Sequence, residues 1–119
     1  MTNQKIDTNN LQKMAQASED KEAYQLIAKT GRYRIGVGAR LPQHAQTPVF
    51  FIEIVVNMCP ACSKVDLSFL GKALNVLRSL EQNGYTLTCQ DDNSILCEKL
   101  TSEKTLQNEL EAAKECNCL

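Results

Sequence analysis

The chain of 119 residues has one histidine, no proline beyond Pro60, almost no net charge and no long apolar run. Its longest largely apolar stretch is the eight residues Val49 to Val56, with Glu53 inside it. That is far below the ~20 residues a bilayer-spanning helix needs, so a membrane span is excluded. The single histidine, His44, sits in a loop and leaves no oriented general base for a Ser/His/Asp constellation. Thirteen basic residues against fourteen acidic ones give a charge of −1, so no global field draws the protein to nucleic acid or an anionic membrane. The first residues, Met1-Thr2-Asn3-Gln4-Lys5, carry amides and charge where a secretory signal would carry an apolar stretch; a cytoplasmic location is expected.

The chain does have six cysteines. Without an export signal they read as reduced thiols, metal ligands or redox centres more than as a disulfide framework. A chain of this length buries roughly two-thirds of its unfolded surface and needs no staples to fold.

The chain is organised around Val49-Phe50-Phe51-Ile52-Glu53-Ile54-Val55-Val56, which runs straight into Asn57-Met58-Cys59-Pro60-Ala61-Cys62. Apolar side chains on both faces of that run are the pattern of an inner strand covered on both sides. Glu53 is the exception, and a cross-strand pair with Arg34 or Arg40 accounts for it more simply than catalysis does. Before it, Tyr33 to Leu41 alternates, with Tyr33, Ile35, Val37, Ala39 and Leu41 on one face and Arg34, Gly36, Gly38 and Arg40 on the other. Gly36-Val37-Gly38 lacks the third glycine and the following helix of a phosphate-binding loop. The two glycines are expected to admit a bulge or a close neighbour.

Residues 1–18 are polar and read as a flexible or partly helical tail preceding a single domain over 19–119. Ala23, Tyr24, Ile27 and Ala28 recur at helical spacing and predict a helix over Glu19 to Lys29; the competing reading makes Tyr24 to Ile27 a strand. Downstream, Asp66 can cap a helix running to about Asn83, with Leu67, Leu70, Ala73, Leu74, Leu77 and Leu80 as its apolar stripe and Gly84 as its stop. Tyr85 to Gln90 and Ile95 to Leu100 form a second hairpin around Asp91-Asp92-Asn93-Ser94. A last helix over Ser102 to Glu115 shows the thin stripe Leu106, Leu110 and Ala113, and is expected on the surface. The expected fold is a single small α+β domain in the order (α)ββαββα, with a mostly antiparallel four-stranded sheet built from two hairpin-helix units.

Cys59-Pro60-Ala61-Cys62 has three chemical readings. As half of a zinc site it needs two further ligands, and Cys116-Asn117-Cys118 supplies them; Cys89 and Cys97, on the second hairpin, are the alternative second pair. As a redox pair, a strand leading into Cys-Pro-x-Cys and then a helix resembles the opening of a glutaredoxin or thioredoxin-type domain, which implies a nucleophilic Cys59 resolved by Cys62. That resemblance covers Val49 to Leu80. It ends there, because those domains need a later cis-proline facing the cysteines and this chain continues into a hairpin with no further proline. In the third reading the cysteines only pack, as small hydrophobes, and no metal is held.

The sequence therefore predicts a cytoplasmic, non-enzymatic accessory protein that binds an unidentified protein partner. A zinc site on Cys59, Cys62, Cys116 and Cys118 is expected with it. Thiol-disulfide or redox-sensing work by Cys59 and Cys62 is the alternative. A weak nucleic-acid-binding module, resting on Arg32, Tyr33, Arg34 and Arg40, is the second alternative; that strand offers no outward aromatic for base stacking.

Overall fold

The computed structural model describes residues 6–30, 32–58, 67–91 and 93–116. The elements run α1 (Thr8–Ala17), β1 (Glu22–Lys29), β2 (Tyr33–Arg40), β3 (Val49–Asn57), α2 (Leu67–Gln82), β4 (Thr86–Cys89), β5 (Ser94–Thr101) and α3 (Glu103–Cys116). The fold is α+β, with three helices and one five-stranded sheet in the order β1-β2-β3-β5-β4. All four neighbouring strand pairs are antiparallel. The Val49 run is thus the middle strand, and β5 docks against it ahead of β4, its own hairpin partner.

One expectation changes. The stretch Glu22–Lys29 is a strand, not a helix, which raises the sheet from four strands to five. Its misleading spacing has a physical origin. The β1–β2 register shifts between Leu26 and Ala28, and this bulge breaks the alternation, so that Ala23, Ile27 and Ala28 all approach the core. Read along the chain, that set imitates the i, i+4 spacing of a helix. The β1–β2 connection is closed by Thr30, whose Oγ1 accepts hydrogen bonds from the Arg32 and Tyr33 amides at 3.1 and 3.2 Å.

Residues 1–18 were expected as a flexible or partly helical tail, and a helix is found within them. Thr8–Ala17 is a helix that packs against β1 and β2, with Leu11 and Ala15 fully in the core. Asp7 caps it, its side chain accepting from the Asn10 amide at 3.0 Å. Two small-to-medium apolar residues suffice here because the sheet already offers them a face.

The helices cover one side of the sheet. From β2 that side takes Ile35, Val37 and Ala39, from β3 Phe50, Ile52, Ile54 and Val56, and from β5 Cys97. α2 presents Phe69, Ala73, Val76, Leu77 and Leu80 to it. Leu67 and Leu74, expected in that stripe, are exposed. The Arg32 guanidinium lies 4.1 Å from the centre of the Phe69 ring and joins the β1–β2 turn to the start of α2. Gly84, at φ +94°, ends α2 as expected, and the Tyr85 amide returns to the Leu80 carbonyl at 3.0 Å. Only Ser102 separates β5 from α3, so α3 folds back over β5 and buries Leu106, Leu110 and Ala113. Lys99 on β5 donates to Glu109 at 3.0 Å and fixes that return. Among the described residues no helix is long and apolar enough to cross a membrane.

If α1 belongs to the cooperative core, Leu11→Ala lowers the global unfolding free energy by about 2–4 kcal/mol in urea titrations. Were it a loosely attached tail, the substitution would leave the midpoint unmoved.

Candidate functional site

The other side of the sheet has no helix over it among the described residues. Strand alternation sends the remaining side chains there, and the ladder registers place them in rows. Tyr24, Gly38, Phe51 and Leu100 form one row; Leu26, Gly36, Glu53, Glu98 and Thr86 form the next.

Phe51 is the single buried apolar residue, among those described, that does not belong to the helix-side core. Its ring lies across the place where a side chain at residue 38 would stand, and the Tyr24 ring does the same at Gly36. This is why the outer face of β2 carries two glycines: neighbouring aromatic rings occupy their side-chain space. Above Phe51 sits Arg40, its guanidinium 4.6 Å from the ring centre.

Arg40 is the hub of the face. It donates from Nε to Glu22 at 3.1 Å, and from its two terminal nitrogens to the two carboxylate oxygens of Glu98 at 3.1 and 3.2 Å. One side chain thereby links β1, β2, β3 and β5. The hydrogen bonds to Glu98 are the main influence holding its charge on, with burial opposing and Glu22 adding support.

Arg34 reaches Glu53 at 3.6 Å, the cross-strand pair expected for that carboxylate. Glu53 has a second neighbour that only the β3–β5 register reveals, since Glu98 stands directly opposite it. Burial pushes the Glu53 carboxyl above its ordinary value; Arg34 pulls it back and Glu98 adds to the rise. The Tyr24 hydroxyl is likewise raised, by burial first and then by Glu53, with Arg34 opposing. Three acids, Glu22, Glu53 and Glu98, against Arg34 and Arg40 leave this face nearly neutral.

Around that charged centre stand exposed apolar groups: Tyr24 at 38 %, Leu26 at 42 % and Leu100 at 58 % of their full exposure. Between β4 and β5 the same side holds a groove of about 490 Å³ lined by Gly84, Thr86, Thr88, Leu96, Glu98 and Leu100. On the helix side a smaller cleft of about 320 Å³ lies among Leu80, Asn83, Tyr85, Lys99, Asn108 and Glu109.

Cys59, Cys62 and Cys118 lie outside the described residues, and Cys116 is described only as the last residue of α3. Cys89 and Cys97 both point to the helix side of the second hairpin, where Cys97 pairs with Leu87 and Cys89 with Ile95. Cys97 is buried, which pushes its thiol up to about 12, and it acts as a small core hydrophobe; Cys89 is exposed. Among the described residues no group of three or more His, Cys, Asp and Glu side chains could hold a metal ion. Of the basic residues that could meet phosphates, Arg34 and Arg40 are paired with carboxylates and Arg32 is stacked on Phe69.

Two residues of the face escaped sequence reasoning. Tyr24 was hidden inside a stretch read as helix. Glu98 alternates correctly on its own hairpin, but its role depends on which strand β5 docks against.

Adding a methyl at Gly38 would strike both the Phe51 ring and the Ala23 carbonyl, so Gly38→Ala costs at least about 2 kcal/mol. Gly36→Ala meets first the far end of the Tyr24 side chain, which can turn aside, and costs about 1 kcal/mol, whereas Gly71→Ala, in open space on α2, gains about 0.5–1 kcal/mol. Chemical denaturation of the three variants checks this ranking. The raised Glu53 carboxyl binds its proton more tightly folded than unfolded, so it penalises the folded state near neutrality and the penalty is relieved as pH falls through the carboxylate range. Compared with Glu53→Gln, the wild type therefore gains stability on acidification, which urea midpoints from pH 7 to 4 would show.

No family model matches the chain, and no curated protein and no solved structure matches it.

Proposed function

We propose that this chain is a non-enzymatic accessory protein that binds another polypeptide through the uncovered face of its sheet. The observation that carries this reading is the exposure of Tyr24, Leu26 and Leu100 around the Arg40 hub, on a face where no helix lies among the described residues. Exposed apolar groups gathered on one surface mark interaction sites. Near-neutral charge makes a polypeptide a better occupant than nucleic acid or an anionic membrane, because the arginines are already engaged.

The same reading includes one zinc ion on Cys59, Cys62, Cys116 and Cys118. Two features of the described chain support it. Asn57 ends β3, and one residue, Met58, separates it from Cys59. α3 folds back over β5, and so travels in the direction of β3 before it ends at Cys116. Four thiolates satisfy tetrahedral zinc and leave no open position for substrate, so such a site ties down chain instead of turning over a reactant.

Protein purified anaerobically is expected to hold about one zinc per chain, lost alike in Cys59→Ser and Cys116→Ser. Metal-free protein in which Cys59 and Cys62 form a reversible disulfide would sink the zinc site and favour thiol redox work. For the binding face, a photo-cross-linking residue is placed at Leu100 and, as control, at Leu67 on α2, which is 77 % exposed. An adduct with one chain identified by mass at position 100, and none at 67, supports the reading; equal labelling at both positions defeats it.

A further inference from the structure

We infer that the partner joins the sheet as a sixth strand, an extended segment of another polypeptide that pairs with the outer edge of β1. This rests on the reading of the uncovered face as a binding surface, and it puts the partner's entry at the β1 border of that face.

The backbone carries the argument. Strand β1 is the first in the order β1-β2-β3-β5-β4, so among the described residues no strand lies beyond it. The Leu41 amide donates to the Lys21 carbonyl at 2.8 Å, which makes Lys21 and Leu41 a hydrogen-bonded pair of the β1–β2 ladder. Such pairs alternate in an antiparallel ladder, so Ala23 and Gln25 also turn their N–H and C=O groups toward β2. Glu22, Tyr24 and Leu26 turn theirs outward. The bulge after Leu26 ends this regular row. The outward groups repeat about every 6.8 Å, the repeat at which a second extended chain presents its own donors and acceptors.

The opposite border offers less. β4 has four residues against the eight of β1, and a short edge strand is one way in which a sheet blunts its border. Strand β1 has no proline, and its charges stand at its two ends, so nothing of that kind protects the stretch from Ala23 to Leu26.

Apolar side chains flank this edge on both sides of the sheet. On the uncovered side the Tyr24 ring leans inward over Gly36, which leaves the exposed Leu26 as the outermost apolar group. On the helix side stands α1. Thr8 donates to Glu103 of α3 at 2.9 Å, and Gln12 lines a cleft with Phe50, Leu100 and Glu103, so that flank of α1 faces the middle of the sheet. Leu11 and Ala15 are buried beneath the helix. Met14, two residues after Gln12, is turned about 200° from it around the helix axis and overhangs the β1 side, about half exposed. A strand laid beside β1 sends successive side chains to opposite faces, one set toward Leu26 and the other toward Met14. The segment that fits is therefore extended and apolar on both faces.

The test is amide hydrogen exchange, read by NMR on the full chain alone and with peptides about 12 residues long selected on it from a random phage-displayed library. In the chain alone the Ala23 and Gln25 amides are expected to be protected and those of Tyr24 and Leu26 to exchange freely; a selected peptide is expected to slow the second pair at least tenfold. Proline is tolerated on an edge strand where its nitrogen faces outward, so Leu26→Pro differs from Leu26→Ala chiefly in lacking the outward N–H. Peptide affinity is expected to be at least tenfold lower in Leu26→Pro than in Leu26→Ala. Urea midpoints confirm that both are folded, and if Leu26→Pro is not, exchange in the wild type decides. Tyr24 and Leu26 amides already protected in the chain alone, or left exposed by a peptide that binds, overturn the inference, as does a library that yields no binding peptide. Protection that rises with the chain's own concentration overturns it too, by making a second copy the occupant. If the inference falls while position 100 still forms an adduct with one identified chain, the binding face stands and only its entry at β1 is lost. With no adduct there, both fall.

Discussion

The uncovered face depends on the ring of Phe51 having a place to lie. A phenylalanine in the middle of a central strand, pointing away from the helices, would ordinarily leave a large apolar ring in water. Gly38 opens the space, the ring settles across it, and Arg40 closes over the top while holding Glu22 and Glu98. Each part requires the others. A side chain at 38 would lift the ring, a lifted ring would displace the guanidinium, and without the guanidinium Glu98 and Glu53 would face each other across the ladder with less to hold them. Packing on this side of the sheet is thus a two-dimensional arrangement of ring, glycine and ion pair, in place of the helix layer used on the other.

How far the sequence reveals this follows from which interactions are local. The alternation of Tyr33 to Arg40, the glycine stop after α2 and the thin stripe of α3 are encoded within one element each, and they read correctly. Strand β1 did not, because its bulge moves Ile27 and Ala28 inward together and imitates helical spacing. Helix α1, expected only as part of a flexible or partly helical tail, was less legible in its packing than in its helicity. Leu11 and Ala15 are too few to form a helix on their own, and gain their stabilisation only from a sheet face assembled elsewhere in the chain. The expectation of an inner strand covered on both sides was half right. β3 is central, yet among the described residues helices cover only one of its faces, and the apolar character of the other serves Phe51 and its neighbours.

The candidate site was legible in its members but not in its connections. Glu53 and its two possible arginine partners are visible as a conflict in an apolar run, and Arg34 resolves it. That Arg40 belongs instead to Glu98 depends on β5 docking against β3, a pairing between residues 37 to 51 positions apart. Periodicity carries no information about such a register. The four cysteines proposed for zinc are the opposite case: their spacing is plain in the sequence, and the elements that lead to them run in the same direction.

A charged centre on a surface meant for binding needs a physical reason, since a leucine at residue 53 would bury more apolar area at lower desolvation cost. A uniformly apolar five-stranded face would accept any other flat apolar surface in any register, including unfolded chains and sheet edges. With Arg34–Glu53 and Glu22–Arg40–Glu98 embedded in it, the face costs free energy to cover unless the incoming surface leaves those groups paired. The ion pairs therefore add little attraction, yet they restrict what can lie on the sheet to a surface that leaves them paired.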